Sequence, residues 1–126
     1  MILLTGNLGF IGHWLQVYLL KKGFDDLVCI DNRSSRGKRL SSFASHIPEI
    51  TQLYIDLGDF HALDRIIDTY QPTTIFHVAG QAIVPRSFQN PYVTFNSNVS
   101  TTFNLLELSR RYSCIKKLLV VTSDKV

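Results

Sequence analysis

Residues 1–12 read Met1-Ile2-Leu3-Leu4-Thr5-Gly6-Asn7-Leu8-Gly9-Phe10-Ile11-Gly12, an apolar run followed by three glycines at intervals of three. The apolar run predicts a buried strand, and the glycines predict the turn that leads from it into a helix. Gly6 permits the tight turn, Gly9 lets the backbone come close to an anion, and Gly12 lets the helix pack against the sheet. Amide groups at the helix start, reinforced by the helix dipole, then hold a pyrophosphate. Glycine also recurs in ordinary loops wherever positive φ is needed. Here its place between a strand and a helix marks a dinucleotide cradle, formed by Gly6, Asn7, Leu8, Gly9, Phe10, Ile11 and Gly12. Ile11, Leu15, Tyr18 and Leu19 fall at helical spacing and predict the buried stripe of that helix, which Gly23 ends.

Leu27-Val28-Cys29-Ile30 is a second continuous apolar run, expected to be a strand buried on both faces and closing a βαβ unit at Asp31. A polar loop from Asn32 to Gly37 leads to a weaker helical stretch over 38–45, and Pro48 breaks the chain before a strand at 51–55. Asp59 is an expected N-cap for a helix carrying Phe60, Leu63, Ile66, Ile67 and Tyr70, which stops before Pro72. A fourth strand covers 74–78. Residues 79–91, with Gly80, Pro85 and Pro91, read as a long functional loop. A long helix over about 93–112 follows, with Phe95, Val99, Thr102, Phe103 and Leu106 as its apolar stripe, and a fifth strand covers 117–122. Strands alternating with helices predict an α/β fold, a Rossmann-type doubly wound parallel sheet with five strands in the order 3-2-1-4-5. The glycine turn and the loop after His77 should then meet at the crevice where the strand order reverses.

A chain of 126 residues that is 45% apolar can bury one core, so a single globular domain is expected. No apolar run approaches the roughly 20 residues of a membrane span, and no secretory leader is recognisable. Cys29 and Cys114 have neither the number nor the spacing of a disulfide framework or zinc site, which suits reduced thiols in the cytoplasm. The net charge of +3 includes a cluster of Arg33, Arg36, Lys38 and Arg39. With no aromatics between them to stack bases, these read as a solvated surface rather than a nucleic-acid site. His13, His46 and His61 are expected at the surface and His77 packed at the end of its strand; no metal site is expected.

Asp31 stands 19 positions after Gly12, close to the spacing at which an acid reaches the adenosine ribose hydroxyls. Its carboxylate would repel a 2′-phosphate, which favours NAD over NADP, although Arg33 and Arg36 are near enough to hold one. Taken with the glycine turn, several further stretches resemble the extended short-chain dehydrogenase/reductases that act on nucleotide sugars, a family that includes epimerases and 4,6-dehydratases. They are Asp31-Asn32, Asp56-Leu57, His77-Val78-Ala79-Gly80-Gln81, residues 98–107 beginning Asn98-Val99-Ser100-Thr101-Thr102, and residues 120–126 ending Thr122-Ser123-Asp124-Lys125-Val126. The resemblance implies that Asp56 and Leu57 flank the adenine and that Val78, Ala79, Gly80 and Gln81 line the cofactor. Asn98 would support the site from the long helix, with Asn32, Arg33 and Thr122 completing the contacts.

The resemblance also implies catalytic roles for Ser123, Asp124 and Lys125. Ser123 would hydrogen-bond the sugar 4-hydroxyl. Asp124 and Lys125 match the acid and second polar group with which dehydratases remove water, and Ser-Asp-Lys is similar to the CDP-glucose 4,6-dehydratase variety. A surface turn is the alternative for that acid-lysine pair. Two departures stand out. Thr101 occupies a place where the family often has glycine, and the Tyr-x-x-x-Lys expected beyond strand five does not occur by residue 126. Tyr18 with Lys22 and Tyr112 with Lys116 match that spacing only by accident, because neither pair reaches the carboxyl ends of the strands. The expectation is the incomplete NAD-binding part of a dehydratase or epimerase, inactive by itself, with a homodimer interface along the helix near 93–112. The alternative is a complete small NAD-binding or regulatory module.

Overall fold

The computed structural model describes residues 1–32 and 50–123. The helical stretch expected at 38–45, the basic cluster at 33–39 including Arg33, the break at Pro48, His46, and Asp124 and Lys125 lie outside the described residues. Five parallel strands, β1 (Ile2–Thr5), β2 (Leu27–Asp31), β3 (Thr51–Tyr54), β4 (Thr74–His77) and β5 (Lys117–Val120), form one sheet in the order β3-β2-β1-β4-β5. The expected doubly wound arrangement is therefore present. In register, Thr5 of β1 stands beside Ile30 of β2 on one side and His77 of β4 on the other. That row brings the three central strands to a common carboxyl edge.

Helices cover the sheet from two sides. Helix α1 (Phe10–Lys21) packs Leu19 against Leu4, Leu27 and Cys29. On the opposite face, α2 (Phe60–Tyr70) and α5 (Thr101–Arg111) bring Leu63, Ile67, Leu105 and Leu108 onto Leu3, Ile30 and Ile75. Every residue of β2 is buried, as its unbroken apolar run requires. Asp59 caps α2 as expected, its carboxylate accepting from the Ala62 amide at 3.0 Å. Gln71 ends α2 in a left-handed conformation (φ 47°), and its side-chain amide donates to the Asp68 carbonyl before Pro72 forbids another turn. Gly23 follows α1 with φ +83°, the termination expected from sequence.

Three expectations need correction. The buried face of α1 is Gly12, Gln16 and Leu19, while Ile11 and Tyr18 are 56% and 58% exposed. The helix is rotated because Gly12 must meet the glycine turn: a Cβ on Gly12 would collide with the Gly6 carbonyl. The segment 79–91 is not all loop, since Pro85 sits in the first turn of a short helix, α3 (Val84–Gln89), a position where its missing amide hydrogen is no loss. A further short helix, α4 (Pro91–Phe95), then passes through one π-helical turn (Asn96–Ser100) into α5. Along this run the expected stripe of Phe95, Val99, Phe103 and Leu106 faces solvent, and Thr101, Leu105 and Leu108 are buried instead. Periodicity detects an apolar face without telling which of two faces the sheet will take.

These two faces of α5 should respond differently to truncation. Leu105→Ala empties a fully buried site and is expected to lower stability by about 2–5 kcal/mol. Leu106→Ala, on the exposed face, should change it by less than about 0.5 kcal/mol in dilute solution. Urea unfolding of the two variants checks both.

Candidate cofactor site

The carboxyl edge of the sheet is shaped by backbone meeting backbone. Gly6 has φ +75°, donates its amide to the Ile30 carbonyl at 2.7 Å, and would carry a Cβ only 2.6 Å from the Ala79 nitrogen. Only glycine allows both the conformation and that approach. The turn closes with Gly9 N donating to Gly6 O at 3.0 Å. Gly9 caps α1 without a side-chain hydrogen bond, and no acidic residue occupies the first turn. By contrast Asp59 closes α2 and Asn90, accepting from Val93 N, closes α4, while α3 shares with α1 the lack of a side-chain cap. At α1 the first-turn amides of Phe10 and Ile11 have no such cap, and the helix dipole adds to their attraction for an anion.

Asp31, 4% exposed at the end of β2, accepts the Leu8 amide through Oδ2 at 3.2 Å, so the acid and the glycine turn are joined directly. Asn32 beside it is exposed. Asn7, only 1% exposed, turns its side chain inward. Its Nδ2 donates to Gln16 Oε1 at 3.0 Å and to Gln52 Oε1 at 2.6 Å, and Gln52 Nε2 returns a bond to Asn7 Oδ1 at 3.3 Å. Asn7 therefore offers its backbone, not its amide, at this edge. Leu8 and Gly9 are half-buried, and Phe10 and Ile11 are exposed.

Across the crevice, the segment after β4 is held from the π-helical turn that leads into α5. Asn98, in the π-helical turn, accepts the Gln81 amide through Oδ1 at 2.7 Å and donates Nδ2 to the Gln81 carbonyl at 3.1 Å. A π turn adds one residue to the helix and so re-aims a side chain, a device common at functional sites. Beneath, His77 is 2% exposed and touches Thr5 Oγ1 (2.8 Å) and Thr102 Oγ1 (3.0 Å). Burial lowers its pKa from 6.5 to about 4. Val78 and Ala79 are half-buried and Gly80 exposed. On the other flank Asp56 closes a small turn by accepting the Gly58 amide at 2.9 Å, while buried Leu57 is held through its carbonyl by Asn104 Nδ2 at 2.9 Å. Thr122 and Ser123 follow β5 at the same edge and are exposed; Val121 N donates to His77 O at 2.9 Å and carries the last strand to that point.

Sequence reasoning missed Thr5, Gln16, Gln52 and Asn104 as supports of this edge. Gln16 was detectable, since it lies four residues after Gly12 and shares its helix face. The roles of Thr5, Gln52 and Asn104 arise from contacts between residues far apart in the chain, which no local pattern records. His13, expected at the surface, is half-buried, with its ring centroid 5.7 Å from that of Trp14 and a buried Nδ1 without a hydrogen-bond partner among the described residues.

A family model described as GDP-mannose 4,6 dehydratase matches residues 3–126. The chain is 32% identical over 126 residues to CDP-paratose 2-epimerase of Salmonella typhi, an alignment covering 99% of this chain and 37% of that protein. It is 29% identical over 127 residues to CDP-glucose 4,6-dehydratase of Salmonella typhimurium, covering 98% and 34%. The UDP-glucose 4-epimerase of Thermus thermophilus, solved in complex with NAD, superimposes with a TM-score of 0.78 at 30% identity, over 93% of this chain and 35% of that one. The chain thus spans about a third of the length of these relatives.

Two measurements probe the edge itself. Since the folded His77 binds its proton only near pH 4 and the unfolded residue near 6.5, the unfolded state holds more protons between those values. Stability from this residue is complete above pH 6.5 and falls as pH drops toward 4, by on the order of 3 kcal/mol. Urea midpoints at pH 7 and 4.5 should show that fall, and His77→Gln should flatten it. Gly12→Ala should lower the thermal midpoint, read by circular dichroism, because backbone rather than a flexible side chain must move aside.

Proposed function

The chain belongs to the GDP-mannose 4,6 dehydratase family, and on that premise we propose that residues 1–126 are the NAD-binding part, an incomplete Rossmann domain, of a nucleotide-sugar 4,6-dehydratase or epimerase. What carries this assignment is the uncapped start of α1, set beside a glycine turn pressed against Ala79. Its first-turn amides suit a pyrophosphate, so the residues present fit a dinucleotide. Asp31 takes the adenosine ribose hydroxyls, and its charge disfavours the 2′-phosphate of NADP. Asp56 and Leu57 border the adenine; Val78, Ala79, Gly80 and Gln81, with Asn98 behind them, line the remaining length of the cofactor. Gly6, Asn7, Leu8 and Gly9 contribute through backbone, Phe10, Ile11 and Gly12 through the helix start, and Asn32, Arg33 and Thr122 at the margins.

NAD held there would supply a reversible hydride acceptor for sugar C4. Ser123 binds the 4-hydroxyl of the sugar. Asp124 donates a proton to the departing hydroxide and Lys125 removes the C5 proton, in the dehydratase form of the reaction. The two Tyr-x-x-x-Lys pairs present do not serve as the base for the hydride step. Tyr18 lies outward on α1, and Tyr112 bonds Asp64 at the far end of α5. Residues 1–126 accordingly bind cofactor without turning over sugar.

Phe95, Val99, Phe103 and Leu106, exposed together along α4 to α5, suit burial in a homodimer interface along this helix. No helix among the described residues is long and apolar enough to cross a membrane. The free thiols of Cys29 and Cys114 suit a cytoplasmic enzyme.

Calorimetric titration tests the assignment. NAD is expected to bind at least about tenfold more tightly than NADP, a difference of about 1.4 kcal/mol, and Asp31→Asn should narrow the gap. Absence of NAD binding would overturn the cofactor role. Formation of 4-keto sugar by residues 1–126 would overturn the statement that they lack turnover.

A further inference from the structure

The hydroxyl groups around His77 determine where its ring carries hydrogen. Thr102 Oγ1 donates its one hydrogen to the Asn98 carbonyl at 2.7 Å, and Thr101 Oγ1 donates its own to the Ser97 carbonyl at 2.8 Å. Both oxygens also face His77 Nε2, at 3.0 Å and 3.5 Å. With their hydrogens already committed, they can only accept there, so Nε2 must be the donor. In a neutral imidazole the other nitrogen is then an acceptor. Thr5 Oγ1, 2.8 Å from Nδ1, must donate to it. Its lone pairs in turn receive the Ala79 amide at 3.4 Å.

The bonds therefore run in one direction, from Ala79 N–H through Thr5, His77 and Thr102 to the carbonyl of Asn98. Asn98 closes the path, because its side chain grips both the N–H and the C=O of Gln81. Ala79 and Gln81 flank Gly80, whose Cβ position lies 3.2 Å from Asn98 Oδ1. We propose that His77, fixed as the Nε2–H tautomer, is a positioning residue that sets residues 79–81 for the cofactor from beneath. The second hydroxyl on Nε2 comes from Thr101, at the place where the family often has glycine.

This assignment rests on the cofactor reading, yet the tautomer can be observed without any ligand. Nitrogen-15 NMR of the chain, with His77→Gln to assign the signal, is expected to show a protonated-type Nε2 and an unprotonated-type Nδ1 at neutral pH. An Nδ1–H tautomer or an imidazolium would overturn the proposal. Thr5→Val and Thr102→Val each remove one hydroxyl at nearly constant shape. Each should weaken NAD binding about fivefold, with Thr5→Ser and Thr102→Ser restoring it to within about twofold of the parent chain. NAD affinity unchanged from the parent chain in the valine variants, shown folded by cooperative urea unfolding, would also overturn it. If the parent chain binds no NAD, the cofactor assignment fails alone, and the nitrogen signals still decide the tautomer.

Discussion

Backbone touches backbone at the centre of this fold, and much else follows from that contact. Gly12 lies against the carbonyl of Gly6, and Gly6 lies against Ala79, with no side chain between them. The contact brings the start of α1 down onto the sheet and sets the rotation of the helix. Leu19 consequently faces the core, and Trp14 and Tyr18 face outward. The same closeness leaves the first-turn amides of α1 facing the crevice between β1 and β4. A fixed dipole at that point attracts an anion without any charged side chain being held there.

Compactness at this edge brings polar groups out of water, and two sets of side chains there answer one another. Asn7, Gln16 and Gln52 satisfy one another on the α1 side, while Thr5, His77, Thr101 and Thr102 do so on the α5 side. A buried amide or hydroxyl left unpaired costs roughly 1–3 kcal/mol, so such groups hold position only as complete sets. The two sets lie on opposite faces of the sheet and meet the glycine turn from both sides. Rigidity of the turn therefore comes from side-chain amides and hydroxyls as well as from glycine.

The sheet and its order were legible because continuous apolar runs at Leu3, Val28 and Ile75 alternate with helical patterns, and right-handed crossovers leave few arrangements. The glycine turn and Asp31 were legible because their spacing reflects local geometry. The face of α1 was not, since a backbone collision at Gly12 overrode the apolar pattern of Ile11 and Tyr18. Helix α3 escaped because Pro85 reads as a breaker unless its place in a first turn is known. The clamp of Asn98 on Gln81 joins residues 17 apart through a π-helical turn, and regular periodicity carries no sign of such a turn.

At the far side of the sheet, β5 stands last in the strand order among the described residues, with β4 as its neighbour. Leu119 on that strand is about half exposed. A sheet margin next to apolar side chains is where a further strand can add. Val121 N–H on the His77 carbonyl ties that margin to the buried ring beneath the crevice, so the last strand and the innermost polar group of this edge share one hydrogen-bonded row.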